Sequence, residues 1–378
     1  MRKDLQRLEI PGEHEARERS WAVVRDAFAQ REPQPRRRSW KPAAAIGVAL
    51  VTLAGLLSPP GRAVLDEIRE VVGVEQAQPA LFSLPASGRL LVTADSGAWV
   101  VDRDGSKRLL GAYREASWSP FGKYVVAAKR HELVALEPDG DVRWTLARPE
   151  VRHPSWGGTR TDTRIAYLSR GRLRVVGGDG RGDRALGAAA ADVAPVWRPD
   201  ARHVLAWVQD GSVVISESDS GRLVSRFRAP AGTDRLEWSQ DGRRLLVQAP
   251  RSLRVYAVDG TLRFDLLRGS AAPVTTAALA PSGNSVAFVQ RAGGRSHLWL
   301  VPRLAPDASS ARLVFSGAGD FADLVWSPDG RWLLLAWPDA DQWVFVGSER
   351  VRGLRAVSTI SEQFAGGFPT VRGWCCAG

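Results

Sequence analysis

Residues able to do chemistry are few in this 378-residue chain, and they stand apart. The five histidines are His14, His131, His153, His203 and His297. None has the HxH or HExxH spacing that brings two imidazoles to one metal, and each reads as a surface or turn residue. Cys375 and Cys376 are the two cysteines. Two adjacent thiols make neither a disulfide framework nor a zinc site. The pair reads as the end of a partly buried terminal strand, with a vicinal disulfide or an exposed dithiol as the alternatives. Asp102-Arg103-Asp104-Gly105 starts like a calcium loop but lacks the later ligands, so it reads as a hairpin turn. There is no GxSxG nucleophile elbow. The sequence therefore predicts no catalytic residue, no metal and no cofactor, and a binding protein rather than an enzyme.

The elements carrying these residues are set by a repeat. LVWSPDGRWLLLAW (Leu324 to Trp337) has weaker copies beginning at Ser117, Pro154, Val196, Glu237 and Ala278, and a stub, TVRGWC, at Thr370. The anchor positions are Trp118, Trp156, Trp197, Trp238, Leu279, Trp326 and Trp374, spaced 38, 41, 41, 41, 47 and 48 residues apart. Each unit reads as four strands. The first ends on the anchor. A Pro-Asp-Gly-like turn follows, in which Pro presets φ and Gly takes the left-handed conformation. The second strand is apolar on consecutive residues, so both its faces are covered. A period near 40 with four strands is that of a propeller blade, and the anchors are expected to fill the space between blades.

Ser87 to Leu110 supplies strands two to four of a unit with no first strand, and TVRGWC supplies a first strand with nothing after it. Together they make one shared blade that closes the ring and leaves no open edge. The prediction is an all-β, seven-bladed propeller over residues 85–378. Six blades is the alternative, should the unit at Pro154 or Ala278 be degenerate. Specificity is expected in the irregular segments Pro302 to Arg312 and Ala356 to Pro369.

Ahead of the propeller, residues 42–61 carry no charge and are long enough to cross a bilayer core. RRRSWK (Arg36 to Lys41) precedes them and DEIRE (Asp66 to Glu70) follows, which predicts a transmembrane signal anchor with its N-terminus in the cytoplasm. A cleaved signal peptide and a buried soluble helix are the competing readings. Residues 1–41 are then a cytoplasmic tail. Its helix over 13–32 would place Trp21, Val24 and Phe28 on one face, lying on the membrane or meeting a cytoplasmic partner. Residues 62–84 read as a juxtamembrane helix and linker. The formal charge of +11 is spread without a dense stripe, which argues against nucleic-acid binding.

W-S-P-D-G followed by an apolar strand resembles the repeat of TolB-type and WD-repeat-like propellers, over about three quarters of the chain. The layout of tail, anchor and exported propeller resembles uncharacterised actinobacterial membrane proteins. These resemblances imply a membrane-tethered, extracytoplasmic propeller that binds a protein or cell-envelope ligand and relays to a cytoplasmic regulator. One repeat, LVALEPDGDVRWTL (Leu133 to Leu146), resembles a unit of the pyrroloquinoline-quinone enzymes. The rival expectation is accordingly a lactonase-like or quinone-dependent enzyme, with converging carboxylates and a metal in the central channel. A third is glycan binding through exposed Trp99, Trp299, Trp337 and Trp343.

Overall fold

The second strand of each repeat is buried on both faces, and that property dictates the architecture. Trp332–Trp337 is buried at all six positions, whereas the fourth strand of a unit, such as Val142–Ala147, is largely exposed. A strand with two covered faces needs a neighbouring sheet on either side, and radial stacking provides it. The computed structural model describes residues 76–78, 83–199, 202–267, 272–304, 311–348, 353–365 and 367–376. They form seven sheets arranged as blades, each with four antiparallel strands.

Blade 1 joins Thr370–Cys375 to Arg89–Ala94, Gly97–Val101 and Lys107–Gly111. Blade 2 runs Glu115–Trp118, Val125–Lys129, Glu132–Leu136 and Val142–Ala147. Blades 3 to 7 begin at Val151, Val196, Arg235, Val274 and Leu324. The units at Pro154 and Ala278 are complete four-stranded blades, so the six-bladed alternative falls. Ring closure is made by the C-terminal strand, whose register pairs Arg89 with Cys375 and Leu90 with Trp374.

One apolar cluster fills each of the seven seams between successive blades. The anchors sit in these seams, 4–8% exposed. An indole burying about 200 Å² contributes roughly 5 kcal/mol of transfer free energy before entropic costs. The fit is close. A Cβ on Gly157 would lie 2.1 Å from the Trp197 ring, so the absence of a side chain at position 157 lets that indole approach the neighbouring inner strand.

The W-S-P-D-G turn also uses its serine. Gly330 takes φ +66° and its N–H donates to the Ser327 carbonyl, 2.9 Å. The buried Ser327 Oγ donates to Asp329 at 2.6 Å and accepts the Trp332 N–H at 2.9 Å. Ser239 makes the same two bonds with Asp241 and Arg244, and Ser119 accepts the Tyr124 N–H.

Two expectations need correction. Within the segment read as a linker, Gln76–Gln78 pairs in parallel with Leu354–Ser358 and adds a fifth strand to blade 7, because an outermost strand leaves its backbone edge free to pair. Ala356 to Pro369 is not irregular throughout. It contains the end of strand Leu354–Ser358 and a short helix, Ile360–Gln363. Ile360 and Phe364 are buried in the seam between blades 7 and 1, where Phe364 packs on Trp99 and Trp343. The part of Pro302 to Arg312 at 305–310, the tail face Trp21, Val24 and Phe28, and the apolar segment 42–61 lie outside the described residues. Among the described residues no helix is long and apolar enough to cross a membrane.

Candidate binding surfaces at the axis and between blades

Seven inner strands surround the axis, and each brings its anchor and the residues just before it toward the centre. Trp197 donates its indole N–H to Ser155 O at 3.0 Å, Trp238 to Val196 O at 3.2 Å and Trp326 to Ala278 O at 3.2 Å. In every case the acceptor is the residue just before the preceding blade's anchor. The indole nitrogens of Trp118, Trp156 and Trp374 are buried with no hydrogen-bond partner among the described residues. Leu279 has no donor to offer.

Carboxylates act at three of those remaining seams. Glu115 of blade 2 accepts the His153 N–H of blade 3. Glu237 of blade 5 accepts the Leu279 N–H of blade 6 at 3.3 Å. Asp323, at the start of blade 7, accepts the Val371 N–H of blade 1 at 2.8 Å. Burial pushes the Glu237 carboxyl up, against the opposing Arg235 charge and the Leu279 N–H. It likewise raises Asp323, opposed in part by the Val371 N–H, Arg235 and Arg372. Arg372 reaches Thr93 Oγ1 at 2.8 Å and the Arg114 carbonyl at 3.3 Å, across the seam between blades 1 and 2.

At the turn-bearing mouth of the axis a cavity of about 560 Å³ is bounded by inner strands of blades 5, 6, 7 and 1. Arg235, Glu237 and Arg372 line it, with Cys375 and Cys376 at its edge. The two cysteines are half-buried and joined as a vicinal disulfide. Among the described residues no group of three His, Cys, Asp or Glu is placed to hold a metal ion. The axial carboxylates stand in separate blades and face backbone N–H groups and arginines.

A second opening lies off the axis, between blades 2 and 3 on the turn-bearing face, with a volume of about 710 Å³. Its wall is aromatic: Tyr124 stacks on Trp156 at 5.7 Å with planes 13° apart, and Phe121 is 44% exposed. Lys123 sits 5.1 Å from the Tyr124 ring centre and Arg160 4.6 Å from that of Phe121. Arg143 also approaches Tyr124 and pairs with Glu137 at 3.1 Å. Asp179 accepts the Arg181 N–H of its own turn, 3.0 Å. The sequence carried only a weak hint of this cleft, because its aromatics belong to two repeats and meet only when blades stack.

The histidines do not meet. His131 is exposed and His297 bonds Ser316 Oγ at 3.0 Å. His153 bridges Glu115 and Asp192. His203 corrects the surface reading, since it is buried at 4% exposure. It bonds Asp219 at 3.0 Å and the Asp162 carbonyl at 3.2 Å, edge-on to Trp197. Asp219 also takes Arg184 and Arg164. Burial alone would raise its carboxyl, but those hydrogen bonds and the Arg164 charge hold it at about 2. Of the tryptophans considered for glycan contact, Trp337 and Trp343 are 1% exposed. Trp99 and Trp299 are partly buried against seam clusters. None forms an open platform. Asp102 to Gly105 is a hairpin turn closed by Gly105 N–H to Asp102 O, 3.0 Å.

The fold defines a seven-bladed β-propeller, and solved structures that resemble it include a WD40 domain. Neither a family model nor a curated protein matches the sequence. Among solved structures, the C-terminal WD40 domain of Sif2 is similar at a TM-score of 0.53 and 13% identity, covering 76% of this chain and 88% of that one. The β-propeller domain of Cps50 (Swd1) from Myceliophteria thermophila is similar at 0.50 and 13%, covering 65% and 86%. A chain of a mitotic checkpoint complex is similar at 0.50 and 16%, covering 71% and 97%. At these identities the likeness concerns the fold.

Proposed function

We propose that this protein is a non-catalytic propeller scaffold that binds another protein. The observation that carries this reading is the use made of the axial carboxylates. Glu115, Glu237 and Asp323 each hold a neighbouring inner strand through its backbone, so groups that could serve chemistry at the axis serve the ring instead. The assembly of a similar propeller within a checkpoint complex supports the same reading.

In the fuller form of the proposal, residues 42–61 anchor the chain in the cytoplasmic membrane, with the propeller outside and Trp21, Val24 and Phe28 presented to a cytoplasmic regulator. The uncharged run, the arginines before it and the TolB-like repeat support that form. Crosslinking and affinity capture of the tagged full-length protein from its own membranes, beside a variant lacking residues 1–32, tests both forms. A protein retained by both places recognition on the propeller, and one lost with the tail supports the relay. No reproducible partner in either capture overturns the scaffold reading.

A further inference from the structure

The cleft between blades 2 and 3 has a composition that selects its occupant. We propose that it binds an acidic, extended segment of a partner protein, an inference that rests on the scaffold reading and gives it a location. Three cations border the opening. Lys123 and Arg160 are exposed and have no carboxylate partner among the described residues. Arg143 shares its charge with the partly exposed Glu137. The carboxylate on the lining, Asp179, is engaged by its own turn. Three cations against the carboxylates of Glu137 and Asp179 leave the cleft with a net positive charge on an aromatic wall.

That pairing is specific in its physics. A cation resting on a ring face keeps its outward hydrogen-bond donors free, and the ring holds the side chain in place. Arginine then offers a planar fork matched to a carboxylate. The Tyr124–Trp156 stack supplies apolar surface for the backbone and methylenes of a Glu-rich strand. At about 710 Å³ the opening is pocket-sized, on the scale that buries most of a small ligand or a few residues of chain. The corresponding opening at blade 6, lined by Pro281, Pro302, Arg303 and Leu304 among others, has one aromatic ring, Trp326, and serves as an internal control.

The test titrates purified full-length protein with a fluorescein-labelled peptide of alternating Glu and Gly, against matched Lys–Gly and Ser–Gly peptides and a labelled oligo-dT. Saturable binding of the glutamate peptide is expected, weakening as salt rises. The double variant Lys123→Glu/Arg160→Glu should lose at least tenfold in affinity and Lys123→Gln/Arg160→Gln an intermediate amount. Arg303→Glu at the control opening should change affinity less than twofold. Thermal midpoints within a few degrees of the parent establish that the variants fold. Equal binding of the Ser–Gly peptide, preference for oligo-dT, or undiminished binding by the folded double variant overturns the proposal. Membrane capture separates the two readings. A partner held equally by parent and double variant leaves the scaffold standing and removes the cleft from it. A cleft-dependent peptide affinity with no partner captured leaves an acidic-peptide site but removes the scaffold, and with it the partner protein as occupant.

Discussion

Six of the seven seams of this ring are of two kinds. At blades 3–4, 4–5 and 6–7 a tryptophan indole donates to the preceding inner strand. At blades 2–3, 5–6 and 7–1 that bond is missing, and a carboxylate takes a backbone N–H from the following strand instead. The seam between blades 1 and 2 uses Arg372 and Arg89, which reach the carbonyls of Arg114 and Gly122. Inner strands of adjacent blades share no β-ladder, so each seam needs some polar link beside its apolar cluster. The indole link is neutral and the carboxylate link is ionisable. The two kinds of seam should therefore respond differently to mutation and to pH.

The largest expected effect breaks the seams themselves. Trp326→Ala and Trp374→Ala should each cost about 3–5 kcal/mol in chemical denaturation. The Phe variants isolate the polar part. Trp326→Phe should cost about 1 kcal/mol more than Trp374→Phe, because the first loses a hydrogen bond and the second removes an orphaned donor. Equal costs would erase the distinction. Next in size, Asp323→Ala strands the Val371 N–H and should cost about 1–3 kcal/mol, while Asp323→Asn keeps an acceptor and should cost less.

The smallest effect is on the pH profile, and its sign differs between seams. Asp323 has a raised carboxyl in the fold, so its stabilisation is full below the unfolded value near 4 and is lost as pH rises through the folded one. Asp219, held at about 2, stabilises above about 4 and loses that contribution as pH falls toward about 2. Asp323→Asn should flatten the decline on the neutral side and Asp219→Asn the decline on the acid side. Melting curves from pH 2 to pH 8 would show it, and parallel profiles would refute it.

Blade number and closure were legible because both are written in short-range terms. A turn glycine, a serine and an anchor recur at one spacing, and TVRGWC is recognisable as a strand without a successor. The seam links were not legible. Arg89 to Gly122, Arg198 to Gly242 and Arg244 to Gly283 join an arginine to the next blade's turn, and nothing local marks one arginine among many for that role. The surplus of arginine reads as bland surface charge until the blades are stacked. The same holds for the cleft, whose Tyr124 and Trp156 are 32 residues apart. His203 was misread because a turn position normally implies exposure, whereas here Trp197 and Asp219 of its own blade and Asp162 of the preceding blade cover it. Ile360 and Phe364 were missed because a four-residue helix is too short to show a periodicity.

The pairing of Thr370–Cys375 with Arg89–Ala94 makes the array circular in space although the chain is linear. A linear stack of repeats has outermost members that melt first and pull their neighbours after them. Here every blade has two neighbours, so local opening must break two seams at once. Amide exchange along the inner strands should consequently be nearly uniform from blade to blade, with no gradient toward either end of the repeat series. Cutting the clasp would turn a single concerted transition into stepwise fraying.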